Sequence, residues 1–486
     1  MKTILDLEPK RVWHFFHDLT QIPRPSGKEE KIIEYLVNVA KENNLEVIVD
    51  DIGNVIMRRA ASPGLENRKG IILQAHMDMV PQKNLDKQFD FEKDPIETII
   101  DGEWVRANGT TLGADNGIGL AAALAVLTDK NIKTGMIEGL FTVDEERGMT
   151  GAFGLKPDIL KGDVLLNLDS EHDGEIFIGC AGGMDANITF HLSYEPVPDT
   201  YKAFEVEIKG LKGGHSGLDI HLGRLNANKA LNRFIKFIID HLDALLVSFD
   251  GGSLRNAIPR EAKAIILVPD NKINELYEIK SVFDKNFQIE FGKVEPNLEF
   301  NLKETQLPAR YIKKDIADKI VKAIYGCPNG VLRMSAEVEG LVETSNNLAV
   351  IKTSDDTLSI QCLIRSSIDS AKEAVGEKIK SVFELADADV SLTGAYPGWK
   401  PNPDSEILRL AKKIYEEKFG KTPVIKAVHA GLECGLLGSK YPNLDMISFG
   451  PTIVAPHSPD ERVNIPSVQK FYDFLLEIIK NIPDKN

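Results

Sequence analysis

IILQAHMDMV, residues 71–80, reads as an apolar strand that runs out into His76, with Asp78 two residues further on. Three other apolar runs end in a similar way. EGLFTV (138–143) leads into Asp144, Glu145 and Glu146, DVLLNL (163–168) into Asp169, and DMISFG (445–450) into a loop carrying His457. Continuous apolar runs without polar alternation belong to strands buried on both faces, as in a parallel-rich sheet. Helical segments lie between them, EEKIIEYLVNVAKENN (29–44) and GIGLAAALAVLTD (117–129). The fold class expected is α/β, with a mixed, parallel-rich sheet covered by helices.

From about residue 185 the pattern changes. FEVEIKG (204–210), LEFNLKE (298–304) and LSIQCLI (358–364) alternate apolar and polar residues, the signature of an antiparallel sheet with one wet face. Helical repeats intervene at 224–242, 309–326 and 370–386, which makes this stretch α+β. Continuous runs return after the turn-rich AYPGWKPNPD (395–404). The expected organisation is a first domain in two parts, 1–184 and 397–486, interrupted by an inserted domain at 185–396.

A formal charge of -15 argues against broad contact with nucleic acid, because a polyanion would be repelled wherever no basic patch intervenes. The N-terminal MKTILDLEPKRVWHFFHDL breaks each apolar run with a charge, and no stretch of eighteen apolar residues occurs. Neither a signal peptide nor a membrane span is expected. Cys180, Cys327, Cys362 and Cys434 are scattered without CxxC spacing, which fits reduced thiols in a cytoplasmic protein.

In open α/β sheets, ligands bind beyond the carboxyl ends of the strands. The acids and histidines at those ends therefore converge on one expected site, together with Asp115 in GTTLGADNGIG. Imidazoles and carboxylates without cysteine suit zinc, manganese or cobalt with a position left open for water. Asp115, Glu146 and Asp169, with one hydroxide, would balance the charge of two divalent ions. Asp78, spaced by two from His76, would accept the other ring N–H and fix its tautomer. Each residue also has a plainer role when taken alone. HMD fits a hydrogen-bonded loop, Asp115 a helix N-cap, Glu145 and Glu146 a solvated turn, Asp169 a turn former, and His457 a surface loop. Their recurrence at successive strand ends favours the metal site. The glycine-rich GADNGIG lacks the lysine and the preceding strand that a phosphate loop requires.

Taken together, HMD (76–78), GADNG (113–117), DEERG (144–148), LDSE (168–171), GGHSG (213–217) and PHSPDE (456–461) resemble the M20 family of dinuclear zinc metallopeptidases over nearly the whole chain. LDSE, GGHSGLDIHLGRLNAN and HAGLECG (429–435) are most similar to the branch that cleaves aminoacyl-histidine dipeptides. The resemblance implies that Asp115 bridges two ions, most readily Zn2+ with Co2+ or Mn2+ as alternatives. His76 and Asp169 would complete one coordination sphere, and Glu146 and His457 the other. It implies Asp78 as the partner of His76, Glu145 as general base, and the inserted domain as a lid bearing His215, a donor to the oxyanion. HAGLECG stands where relatives carry a GGT-type turn, which leaves His429 and Glu433 as candidates for contacting substrate ends. The implied reaction is hydrolysis of unblocked dipeptides, Xaa-His among them, by metal-activated water in a cytoplasmic homodimer. A tripeptidase, an N-acyl amino acid deacylase and a silent metal- or peptide-binding homologue are the alternatives, and retention of both Glu145 and Glu146 disfavours the silent form.

Overall fold

The computed structural model describes residues 3–485. The chain divides into two compact units, one made of the residues up to 179, 401–427 and those from 432 on, the other of 180–400 and 428–431.

The first unit is built on an eight-stranded sheet. Its spatial order is Glu46–Val49, Val55–Arg59, Ile137–Thr142, Ile71–His76, Val164–Asn167, Asp445–Ser448, Glu175–Cys180 and Val424–Val428. Ile71–His76 pairs in parallel with both Ile137–Thr142 and Val164–Asn167, and the latter in parallel with Asp445–Ser448. These four strands point one way, so their carboxyl ends share one edge. Every residue of Ile71–His76, Ile137–Thr142 and Val164–Asn167 is buried, as expected of mostly apolar strands covered on both faces. The flanking Glu46–Val49 and Val55–Arg59 strands pair antiparallel at the margin. The Ala114–Thr128 helix lies against the Ile71–His76 strand and is buried on nearly every side, which its run of alanines permits by letting backbones approach.

A small four-stranded sheet, Ile453–Val454, Arg462–Asn464, Trp104–Ala107 and Thr98–Asp101, adds to this unit. Its strands span two to four residues, too few for a periodic pattern to show in sequence.

The second unit carries a nine-stranded sheet with antiparallel pairing throughout its described ladders. Inward positions of Gly182–His191, Tyr201–Lys209 and Thr357–Ser366 join one apolar core with the helices Ala227–Leu242, Ile273–Phe291, Lys314–Gly326 and Asp369–Glu384. One helix expectation needs correction. The 309–326 segment is helical only from Lys314, because Arg310–Ile312 pairs as a strand with Tyr194–Pro196. Ladder bonds and the burial of Tyr311 and Ile312 outweigh the helical pattern read there.

Candidate metal centre

The shared edge of the first unit gathers the acids and histidines of four segments. His76 is the last residue of its strand, Glu145 and Glu146 follow the Ile137–Thr142 strand, Asp169 follows Val164–Asn167, and His457 lies in the loop after Ile453–Val454. Asp115 sits in the first turn of the Ala114–Thr128 helix, where its own φ/ψ are not helical. Oδ1 of Asp115 lies 3.2 Å from Nε2 of His76, and Oδ2 lies 3.2 Å from Nε2 of His457. Nε2 of His76 is also 3.4 Å from Oδ1 of Asp169, and Nε2 of His457 is 2.9 Å from Oε2 of Glu146. Two groups result, His76–Asp115–Asp169 and Asp115–Glu146–His457, each with one ligand-type atom per residue inside a mutual 4.8 Å. Asp115 belongs to both. A third such group, His76–Glu145–Glu146, brings Glu145 to the same place.

The electrostatics show what this constellation lacks. Burial raises the Glu145 carboxyl well above its usual range, with Asp169, Glu433 and Glu146 adding to the effect against the pull of His76. Burial likewise pushes Asp169 up to about 6. Hydrogen bonds donated to the Asp115 and Glu146 carboxylates raise the His457 imidazole as well, up to about 11. Negative charge is in excess, and cations are favoured there. Oε1 of Glu146 is buried with no hydrogen-bond partner, an orphan that a cation would satisfy. The all-nitrogen-and-oxygen donor set, the shared Asp115 and this orphan fit a pair of divalent ions.

Asp78 is fully buried behind these residues. Its Oδ1 accepts the backbone N–H of Glu145 at 3.1 Å and its Oδ2 that of Glu146 at 3.3 Å. Nδ1 of His76 lies 3.4 Å from Oδ1 of Asp78 and 3.1 Å from its carbonyl oxygen. The carbonyl, rather than the carboxylate alone, therefore orients the ring.

The family description "Peptidase family M20/M25/M40" matches residues 72–481. The chain belongs to this peptidase family. It is 47% identical to the cytosol non-specific dipeptidase of Escherichia coli (strain K12), with all of both chains covered. The crystal structure of aminoacylhistidine dipeptidase from Vibrio alginolyticus superposes with a TM-score of 0.95 at 50% identity, covering 100% of this chain and 99% of that one. Aminopeptidase PepT from Bacillus cereus ATCC 10987 shares the fold, with a TM-score of 0.58 at 19% identity over 98% and 99% of the two chains.

Within this M20 chain, sequence reasoning passed over two buried residues. Arg24, 1% exposed, donates to the carbonyls of Met77, Asp78 and Gly113. Glu461, 2% exposed, accepts four backbone N–H groups from Leu112 to Asp115, and burial pushes its carboxyl up to about 7 even against those donors. Glu461 stood in the quoted PHSPDE motif, and an acid four residues after His457 was the only available signal.

Glu433 is fully buried, and its Oε2 accepts from Gln74 and Thr142, which project from two neighbouring parallel strands. In the second unit, Nδ1 of His215 accepts the backbone N–H groups of Gly217 and Leu218, at 3.1 and 3.0 Å. That fixes the proton on Nε2. Burial and then Arg365 lower this histidine to about 4, so it stays neutral. His429 of the same unit is buried, with Nε2 2.7 Å from Oγ of Ser345.

Proposed function

We propose that this chain is a metal-dependent dipeptidase that hydrolyses the peptide bond of unblocked dipeptides, Xaa-His among them. The observation that carries the reading is Asp115 offering one oxygen towards each of two imidazoles, in a chain similar to named dipeptidases along its full length.

His76, Asp115 and Asp169 would hold one ion, and Asp115, Glu146 and His457 the other, with Zn2+ the first choice. Such ions, when bound, supply Lewis acidity to the scissile carbonyl and lower the pKa of water. Glu145 acts as general base, taking a proton from the attacking water on its carboxylate and passing it to the leaving amine. Asp78 fixes the backbone from which Glu145 projects and sets the ring of His76.

The second unit is read as a lid. His215, neutral and with its proton on Nε2, suits a donor to the oxyanion that forms as the carbonyl is attacked. The burial of Glu433 beneath Gln74 and Thr142 supports a positioning role for it rather than a substrate contact. His429 is kept as a substrate-end candidate. A homodimer in the cytoplasm is the proposed setting. The Escherichia coli relative is named a cytosol enzyme, all four cysteines here are buried and not joined in disulfides, and among the described residues no helix is long and apolar enough to cross a membrane.

The test is a panel of dipeptides including β-alanyl-histidine, with a tripeptide and an N-acetyl amino acid as controls, on protein of known metal content. Unblocked dipeptides should be cleaved fastest. Faster cleavage of the acetylated amino acid would move the assignment to a deacylase, and of the tripeptide to a tripeptidase.

A further inference from the structure

Three segments of the first unit supply most of the proposed ligands, 76–78, 113–115 and the loop to 461. The backbone of Gly113 ties all three together. Its N–H donates to Oε2 of Glu461 at 2.9 Å, and the carbonyl of the same residue accepts from Nη2 of Arg24. Leu112 N–H adds a second bond to Oε2 at 2.7 Å, while Ala114 and Asp115 N–H groups reach Oε1 at 2.8 and 3.2 Å. Both oxygens of Glu461 are therefore filled by backbone donors. Nη1 of Arg24 meets the carbonyls of Met77 and Asp78, each at 3.0 Å. Gly113 has φ +72°, and a Cβ there would stand 2.5 Å from Nη2 of Arg24. The guanidinium occupies the space a side chain would need.

The His457 loop needs such an anchor. Ala455 and His457 both hold positive φ, at 53° and 60°, a region disfavoured for non-glycine residues by about 1 kcal/mol or more. Their conformation persists only if neighbouring contacts impose it, and Glu461 is a fully buried contact that joins this loop to the Asp115 segment, besides the bond of His457 itself to Asp115.

We infer that Arg24 and Glu461 form a clamp, assembled before any ion arrives, which sets the spacing of the His76, Asp115 and His457 segments and so preorganises the binuclear site. Both are positioning residues, and their proposed effect on turnover rests on the dipeptidase reading. His76 and Asp169 hang on strand ends held by the sheet, whereas His457 depends on its loop. Loss of the clamp should therefore weaken the His457-side ion first.

The experiment is amide hydrogen exchange on the chelated full-length protein, together with Zn2+ titrations of the parent, Glu461→Gln and Arg24→Lys. In Glu461→Gln an amide NH2 would oppose two of the four N–H donors. In Arg24→Lys a single point donor replaces a fork that spans two segments. The metal-free parent should protect the amides of Leu112 to Asp115. Glu461→Gln should lose that protection at least about tenfold and bind one of two Zn2+ ions about 10- to 100-fold more weakly, the other being retained. Its kcat should fall with KM little changed. Unprotected amides in the metal-free parent would overturn the inference, as would parental Zn2+ affinities in both variants. If Glu461→Gln does not fold, the parent's exchange and Arg24→Lys still decide. None of these readouts except kcat and KM involves a substrate, so failure of the dipeptidase assignment would be seen separately.

Discussion

Asp78 holds the backbone of Glu145, its Oδ1 accepting that N–H at 3.1 Å. The same oxygen lies 3.4 Å from the ring of His76, so one buried carboxylate aims both the proposed base and a proposed ligand. Asp78→Ala should lower metal affinity about 10- to 100-fold and reduce kcat even when the metal is saturating. Metal titration followed by kinetics at saturation checks this. Parental kcat at full occupancy would limit Asp78 to metal retention.

The adjacent acids Glu145 and Glu146 should separate by phenotype. Glu146→Ala removes a charged oxygen beside His457 and should release an ion or weaken it by about tenfold or more. Glu145→Gln preserves size and should keep both ions while kcat drops by at least about 10². Metal analysis with kinetics on both variants decides, and the opposite pattern would exchange the two assignments.

The strand ends were legible because strands buried on both faces are mostly apolar, so the acids and histidines that follow each run, His76 and Asp169 among them, mark the carboxyl edge. Arg24 and Glu461 were not legible. They act on backbone groups far away in sequence, and a backbone partner leaves no residue-type signal. Glu433, read from the sequence as a candidate for contacting substrate ends, heads the Glu433–Lys440 helix and turns into the core towards Gln74. The Arg310–Ile312 strand was misread because its short pairing depends on a partner more than a hundred residues earlier.

His215 should matter for rate. A donor that meets the oxyanion only when the lid closes is worth about 10² to 10³ in kcat, so His215→Ala should lose that much with a small change in KM. A change in KM alone would contradict the oxyanion role. Mixing inactive His215→Ala and Glu145→Gln chains then tests the proposed dimer, since recovered activity would mean that His215 serves a partner's site.

Stability should fall with acid through buried neutral histidines of the second unit. Burial and Arg365 lower His429 to about 3, while an unfolded chain titrates it near 6.5. Between those values the unfolded state binds more protons, so unfolding free energy rises with pH and is lost as pH drops from about 6.5 towards about 3. His429→Gln should flatten that slope relative to the parent in denaturant unfolding measured from pH 4.5 to 7.5. An unchanged slope would mean that His429 titrates alike in the folded and unfolded chain.

The binuclear reading is tested most directly by titrating exhaustively chelated protein with Zn2+ while following hydrolysis of an unblocked dipeptide. Activity should be absent at the start and rise to a plateau at about two ions per chain, and Asp115→Asn should abolish the rise because it disrupts both spheres. Full activity in metal-free protein, or a plateau at one ion, would contradict it.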